Sequence, residues 1–102
     1  VSELFETAWT EIRSGAAKVG ISDLQLDLLE LRRWEFTYRE IHEATGYSLG
    51  TINRELTDAA EKIQKIPAYG LWTVLAEVFH VRVQRVKAMI MEGREVEWKE
   101  LD

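Results

Sequence analysis

TYREIHEATGYSLGTINREL, residues 37–56, holds two helix starts with a break between them. Thr37 and Glu40 have the spacing of a reciprocal cap, in which each side chain satisfies the other residue's backbone N–H. Tyr38, Ile41 and Ala44 then recur at helical spacing and are expected to point inward. Gly46 closes this short helix, because glycine takes the left-handed backbone that is costly for a residue with a side chain. Ser48 caps a second, longer helix, in which Leu49, Ile52, Leu56, Ala59, Ala60 and Ile63 recur and which can run to Ile66. Pro67 stops it, since proline also restricts the residue before it. Ile41, Tyr47, Ile52 and Leu56 are the expected core contacts of this unit.

The same logic extends outward. Upstream, Ser22 and Gln25 repeat the capping-box spacing and open a helix whose inner face is Leu24, Leu28, Leu31 and Trp34, widened by Leu26 and Leu29. Before it, Ser2 caps a helix over residues 3–18 with an apolar stripe of Leu4, Phe5, Ala8, Trp9, Ile12 and Ala16, ended by Gly20. Downstream of the joint at residues 67–70, Leu71, Trp72, Leu75, Ala76 and Phe79 mark a fifth helix. Val83, Val86, Met89 and Ile90 mark a sixth, ended by Gly93. The tail, residues 94–102, is charged around Val96, Trp98 and Leu101. No segment alternates as a strand does.

The expected fold is therefore all-α, a compact helical domain of five to six helices around a trihelical helix-turn-helix core. Residues 1–66 form the helix-turn-helix part with its support helix. Residues 67–102 form a C-terminal helical pair and tail.

Composition narrows the chemistry. The chain has 102 residues, 46% of them hydrophobic, which suffices for one modest core. It has no cysteine, so neither a disulfide framework nor a thiolate metal site is expected. His42 and His80 are the only soft ligands left, with no metal-ligand spacing around them. No cofactor or metal is expected, and an enzyme is not: there is no glycine-rich phosphate loop, and helix capping accounts for the serines. No leader and no apolar run of membrane-spanning length is found, so a cytoplasmic chain without membrane association is expected. The net charge of −5 argues against nucleic acid as a partner, so any such case rests on local charge.

Local chemistry makes that case on the second helix of the central unit. Its first turns expose Leu49, Gly50 and Asn53, with Arg54 beside them. Asn pairs bidentately with adenine's major-groove edge, and Arg forks onto guanine or grips a phosphate. Gly50 allows close approach. Ser48 and Thr51 offer hydroxyls to phosphate beside the free amides of the helix end, and Arg39 can touch the flanking backbone. The run from Leu28 to Leu56 resembles the helix-turn-helix of the sigma-factor region that reads the −35 promoter element, and is similar to response-regulator DNA-binding modules. Thr37-Tyr38-Arg39-Glu40-Ile41, Gly46-Tyr47-Ser48, Gly50-Thr51-Ile52 and Leu56 carry the likeness, over about a third of the chain. The resemblance implies that Leu49, Gly50, Asn53 and Arg54 face DNA. His42 and Thr45 depart from it, standing where alanine and leucine are usual. His42 is expected either to widen the contact between the two helices or to be pushed to its edge. A complete sigma factor does not fit this length.

Residues 75–90, LAEVFHVRVQRVKAMI, repeat the rhythm more faintly, with His80-Val81 at the turn and Arg82 in the capping position. Arg82, Arg85, Lys87 and Arg94 stand against the single acid Glu92 in this region. They are either a second nucleic-acid contact or an exposed face offsetting the acidic tail. Arg32, Arg33 and Arg39 are either a phosphate-facing patch or ordinary partners of Glu35, Glu40 and Glu43. Glu55, Asp58 and Glu61 would repel phosphate if the reading helix lay flat in a groove.

The expectation from sequence is a DNA-binding transcriptional regulator whose partner is double-stranded DNA, acting as a dimer or other homo-oligomer. The alternative is a protein-interaction module that uses the same scaffold to dock on transcription, replication or DNA-packaging machinery. That alternative calls for an apolar surface patch including Leu49, Tyr69 and Trp98.

Overall fold

The computed structural model describes residues 2–78 and 80–95, with the side chains of residues 2, 81 and 82 outside that description. Phe79, the Arg82 side chain, and the tail with Val96, Trp98 and Leu101 therefore lie beyond the described residues. Within them the chain forms six α-helices and no strand: α1 (Ser2–Ala16), α2 (Asp23–Arg32), α3 (Tyr38–Thr45), α4 (Leu49–Ile63), α5 (Ala68–Val78) and α6 (His80–Met91). A 3-10 turn, Ala17–Val19, follows α1 and ends on Gly20 in the left-handed conformation (φ 84°). No described helix is long and apolar enough to cross a membrane.

Local chemistry sets three of the helix starts. Ser22 and Gln25 make both bonds of a capping box at α2, and Thr37 and Glu40 do the same at α3. Ser48 accepts from the Thr51 N–H at α4. Each satisfies backbone donors that the helix itself leaves unpaired. Gly46 ends α3 at φ 79°, as its place before the turn requires. α4 stops at Ile63, short of Ile66, because the backbone tightens to three-residue bonds ahead of Pro67: Lys65 N–H reaches Lys62 O and Ile66 N–H reaches Ile63 O.

Packing follows the apolar stripes with five corrections. α1 lies along α5, α2 packs on α4, and α3 packs on α4. Ile41, Ile52 and Leu28 are fully buried in one cluster with Phe5, Trp34 and Phe36, and α6 adds Val83, Val86 and Met89 to it. Trp9, Ile12, Ala16, Ile63 and Ile66 make a second cluster, and Trp72 packs against both. Leu4, Ala44, Tyr47, Ala60 and Leu71, expected inside, are exposed. α3 spans only two turns, so α4 covers one narrow side of it, and the turn carries Tyr47 out to solvent.

His80-Val81, expected at the turn, lie within α6, which His80 opens. The polar face of α6 is clasped to the α2–α3 turn. Glu35, in the left-handed region (φ 64°), accepts from His80 Nδ1 at 2.8 Å and from Gln84 Nε2 through its carboxylate, and from Lys87 Nζ through its carbonyl. Holding a non-glycine residue there costs about 1–2 kcal/mol, which these contacts offset.

Candidate nucleic-acid interface

The turn between α3 and α4 is braced by the two residues that depart from the resemblance. Thr45 Oγ1 donates to the Ile41 carbonyl (2.7 Å) and accepts from the Tyr47 N–H (3.3 Å). His42 is exposed at the edge of the helix pair, and its Nδ1 donates to the Tyr47 carbonyl at 2.6 Å. A carbonyl only accepts, so the proton sits on Nδ1. The imidazole thus serves the turn and does not wedge α3 from α4.

Behind this turn α4 presents a bare front end. Residues 42–50 are all exposed. A Cβ placed on Gly50 meets nothing within 4 Å, so the backbone there is open to close approach. The first turn of α4 carries no acidic residue, whereas α1, α2 and α3 carry Glu3, Asp23 and Glu40. The positive end of the helix is therefore not neutralised by its own sequence. Ser48 and Thr51 share a hydroxyl–hydroxyl bond of 2.9 Å while Ser48 also caps, which leaves one hydroxyl proton between them for a phosphate. Leu49 and Asn53 are exposed, and Arg54 keeps 73% of its side chain in solvent and pairs with Glu55 at 3.8 Å. At that exposure the pair is weak.

Two of the three acids of α4 are engaged by side chains of neighbouring residues. Gln25 of α2 is 4% exposed, and its Nε2 donates to Glu55 Oε2 (3.0 Å) and Asp58 Oδ2 (2.8 Å). Lys62 adds a 2.7 Å ion pair to Asp58 and, with Gln25, holds that carboxyl below its ordinary pKa. Glu61 remains exposed farther along.

The other expected site residues divide. Arg39, on the first turn of α3, and Arg85, on α6, are exposed and meet no acid among the described residues. Lys87 is committed elsewhere: its side chain is 17% exposed and pairs with Glu40 at 2.8 Å. That bond, with the Thr37 N–H, pulls the Glu40 pKa down to about 2. Arg33 faces no solvent phosphate either. Its side chain is 8% exposed, pairs with Glu6 (3.0 Å) and Glu30 (3.3 Å), and stands over the Trp9 and Trp34 rings at 4.8 and 4.1 Å. Burial lowers its pKa, while Glu6 and Glu30 pull the other way. Sequence reasoning gave Gln25 only as a cap and Arg33 only as a phosphate-facing residue or a partner of Glu35, Glu40 and Glu43; their buried roles were missed, and a polar side chain falling on an otherwise apolar inner face was the available signal. Among the described residues, no group of three or more His, Asp or Glu is arranged to hold a metal ion.

Compared with protein-family models, curated proteins and solved structures, the chain matches none.

Proposed function

We propose that the chain is a DNA-binding transcriptional regulator that seats the front end of α4 in a major groove. Leu49, Gly50, Asn53 and Arg54 meet base edges, the helix end and the Thr51–Ser48 hydroxyls meet a phosphate, and Arg39 meets the flanking backbone. Arg85 supplies a sequence-independent contact. The carrying observation is the bare, acid-free first turn of α4, with Glu55 and Asp58 farther along hydrogen-bonded to Gln25. The helix enters end-on, because exposed Glu61 would meet phosphate if it lay flat. With few free cations and a net charge of −5, one copy binds weakly, and two copies on adjacent half-sites raise the effective concentration.

The test is selection of a preferred duplex from a random library, then polarisation titrations at two salt concentrations. Arg54→Ala costs about 1–3 kcal/mol on the selected duplex and relaxes its sequence preference. Arg85→Ala weakens all duplexes alike and reduces the salt slope by about one. Failure to enrich any sequence, together with salt-independent binding, rejects the proposal.

One observation favours a second reading, a protein-docking module. Leu71, Val74 and Val78 lie along one side of α5 and are all exposed. Such a stripe is the usual anchor pattern of a helix that meets another polypeptide. Leu49 is exposed as that reading wants, whereas Tyr69 is partly buried and stacked on Trp72.

A further inference from the structure

Five helices, α1 to α5, converge on a cleft of about 290 Å³. That is the low end for a small-molecule site, so the guest would be small. Trp9, Tyr38, Tyr69 and Trp72 supply its aromatic walls, and Leu29, Leu56 and Ile63 its aliphatic floor. Arg32 and Arg33 are its charged residues among the described ones, and no described Asp or Glu lines it. In a chain with five more acids than bases, a lining of two guanidiniums without a carboxylate is a local inversion of charge.

The two arginines differ. Arg33 is compensated from behind by Glu6 and Glu30, yet its Nη1 is sealed from solvent without a hydrogen-bond partner. The Trp72 indole N–H is sealed and unpartnered in the same way. Both lie behind the cleft's accessible surface, so the choice of guest rests on the aromatic walls and on Arg32. Arg32 is exposed, stands over the Tyr38 ring at 5.6 Å and donates to the Phe36 carbonyl at 2.6 Å. It meets no carboxylate among the described residues, so its charge is available to a ligand.

We propose that this cleft binds a small aromatic carboxylate, its ring against the tyrosine and tryptophan walls and its anionic group on Arg32. A planar guanidinium over an aromatic ring suits a flat anion, which it can grip in its own plane while the ring stacks beside it. Arg33, held in a low-dielectric setting behind the wall, strengthens the attraction. Nothing in this proposal requires DNA, and it stands or falls apart from the role of α4.

The experiment titrates 2-naphthoate into the isotopically labelled full chain and follows the four tryptophan indole N–H resonances, with Trp72→Phe assigning that of Trp72. 2-Naphthalenemethanol, the uncharged counterpart, is titrated in parallel. The expected result is a saturable shift of the Trp72 resonance, with the neutral compound at least ~10-fold weaker, a gap of about 1.4 kcal/mol. Arg32→Gln removes that preference for the anion. Ala60→Phe, at an exposed position on the cleft's rim, abolishes saturable binding while leaving the remaining resonances dispersed as in the folded chain. Equal binding of the two compounds, full binding by Ala60→Phe, or no saturable shift at all overturns the proposal and leaves the cleft as packing space.

Discussion

Replacing Gln25 by leucine isolates the contact that joins fold and surface. The side chain is buried and of similar size to leucine, so the change removes polarity with little change in volume. Three hydrogen bonds disappear: two from Nε2 to Glu55 and Asp58, at 3.0 and 2.8 Å, and one accepted from the Ser22 N–H at 3.2 Å. A bond to a charged partner contributes roughly 1.5–3 kcal/mol net. Glu55 and Asp58 keep 25% and 48% of their side-chain exposure and can rehydrate, so the low end applies to each. Together they give about 3 kcal/mol, and the capping bond adds about 1. Burying leucine in place of an amide returns about 2. The expected net loss is about 2 kcal/mol.

Urea unfolding followed by tryptophan fluorescence measures it. With a slope of about 1–1.5 kcal/mol per molar for a chain of this size, the midpoint falls by roughly 1.3–2 M. Gln25→Glu sharpens the test, because a third carboxylate beside Glu55 and Asp58 is more damaging at neutral pH than in mild acid. A Gln25→Leu midpoint within about 0.3 M of the native chain, or zero coupling between Gln25→Leu and Glu55→Ala in a double-mutant cycle, refutes the reasoning.

Two further outcomes follow from single contacts. Gly46→Ala destabilises by about 1–2 kcal/mol in the same assay through backbone strain alone, since a Cβ there meets nothing within 4 Å; Gly46→Asn costs less, because asparagine tolerates that conformation better. Glu40, whose pKa falls from 4.5 to about 2 on bonding to Lys87 and the Thr37 N–H, contributes stability that is complete above about pH 4.5 and drains away as the pH drops toward about 2. Unfolding midpoints of Glu40→Gln should accordingly approach those of the native chain in acid and fall below them at neutral pH, and a constant gap across the range would reject this assignment.

What was legible in the sequence was what neighbours in the chain decide. The caps at Ser22, Thr37 and Ser48 act over three residues, and all three are in place. The strongest inward positions, Leu28, Ile41, Ile52 and Leu56, are set by helical period and are buried. Period alone could not assign Ala44, Ala60 or Leu71, because an apolar position on a helix turns inward only where another helix lies over it. Gln25 finds its acids 30 and 33 residues away, and Arg33 reaches Glu6 across 27. No local pattern announces such partners.

Charge is where this distinction matters most for function. Summed over the chain, −5 argues against a polyanion as partner. What a duplex at the end of α4 meets is the field of the nearest groups, because more distant exposed charges are screened beyond about 8–10 Å at ordinary ionic strength. Those groups include an uncapped-by-acid helix end, an exposed Arg54, and two carboxylates already engaged by Gln25 and Lys62. A single buried amide thus bears on both stability and surface charge. Gln25→Leu should then weaken duplex binding by more than Glu61→Gln strengthens it, because the first releases Glu55 beside Arg54 while Lys62 still holds Asp58, and the second removes a charge farther away. The reverse order would mean that total charge, and not its local placement, governs the approach of DNA.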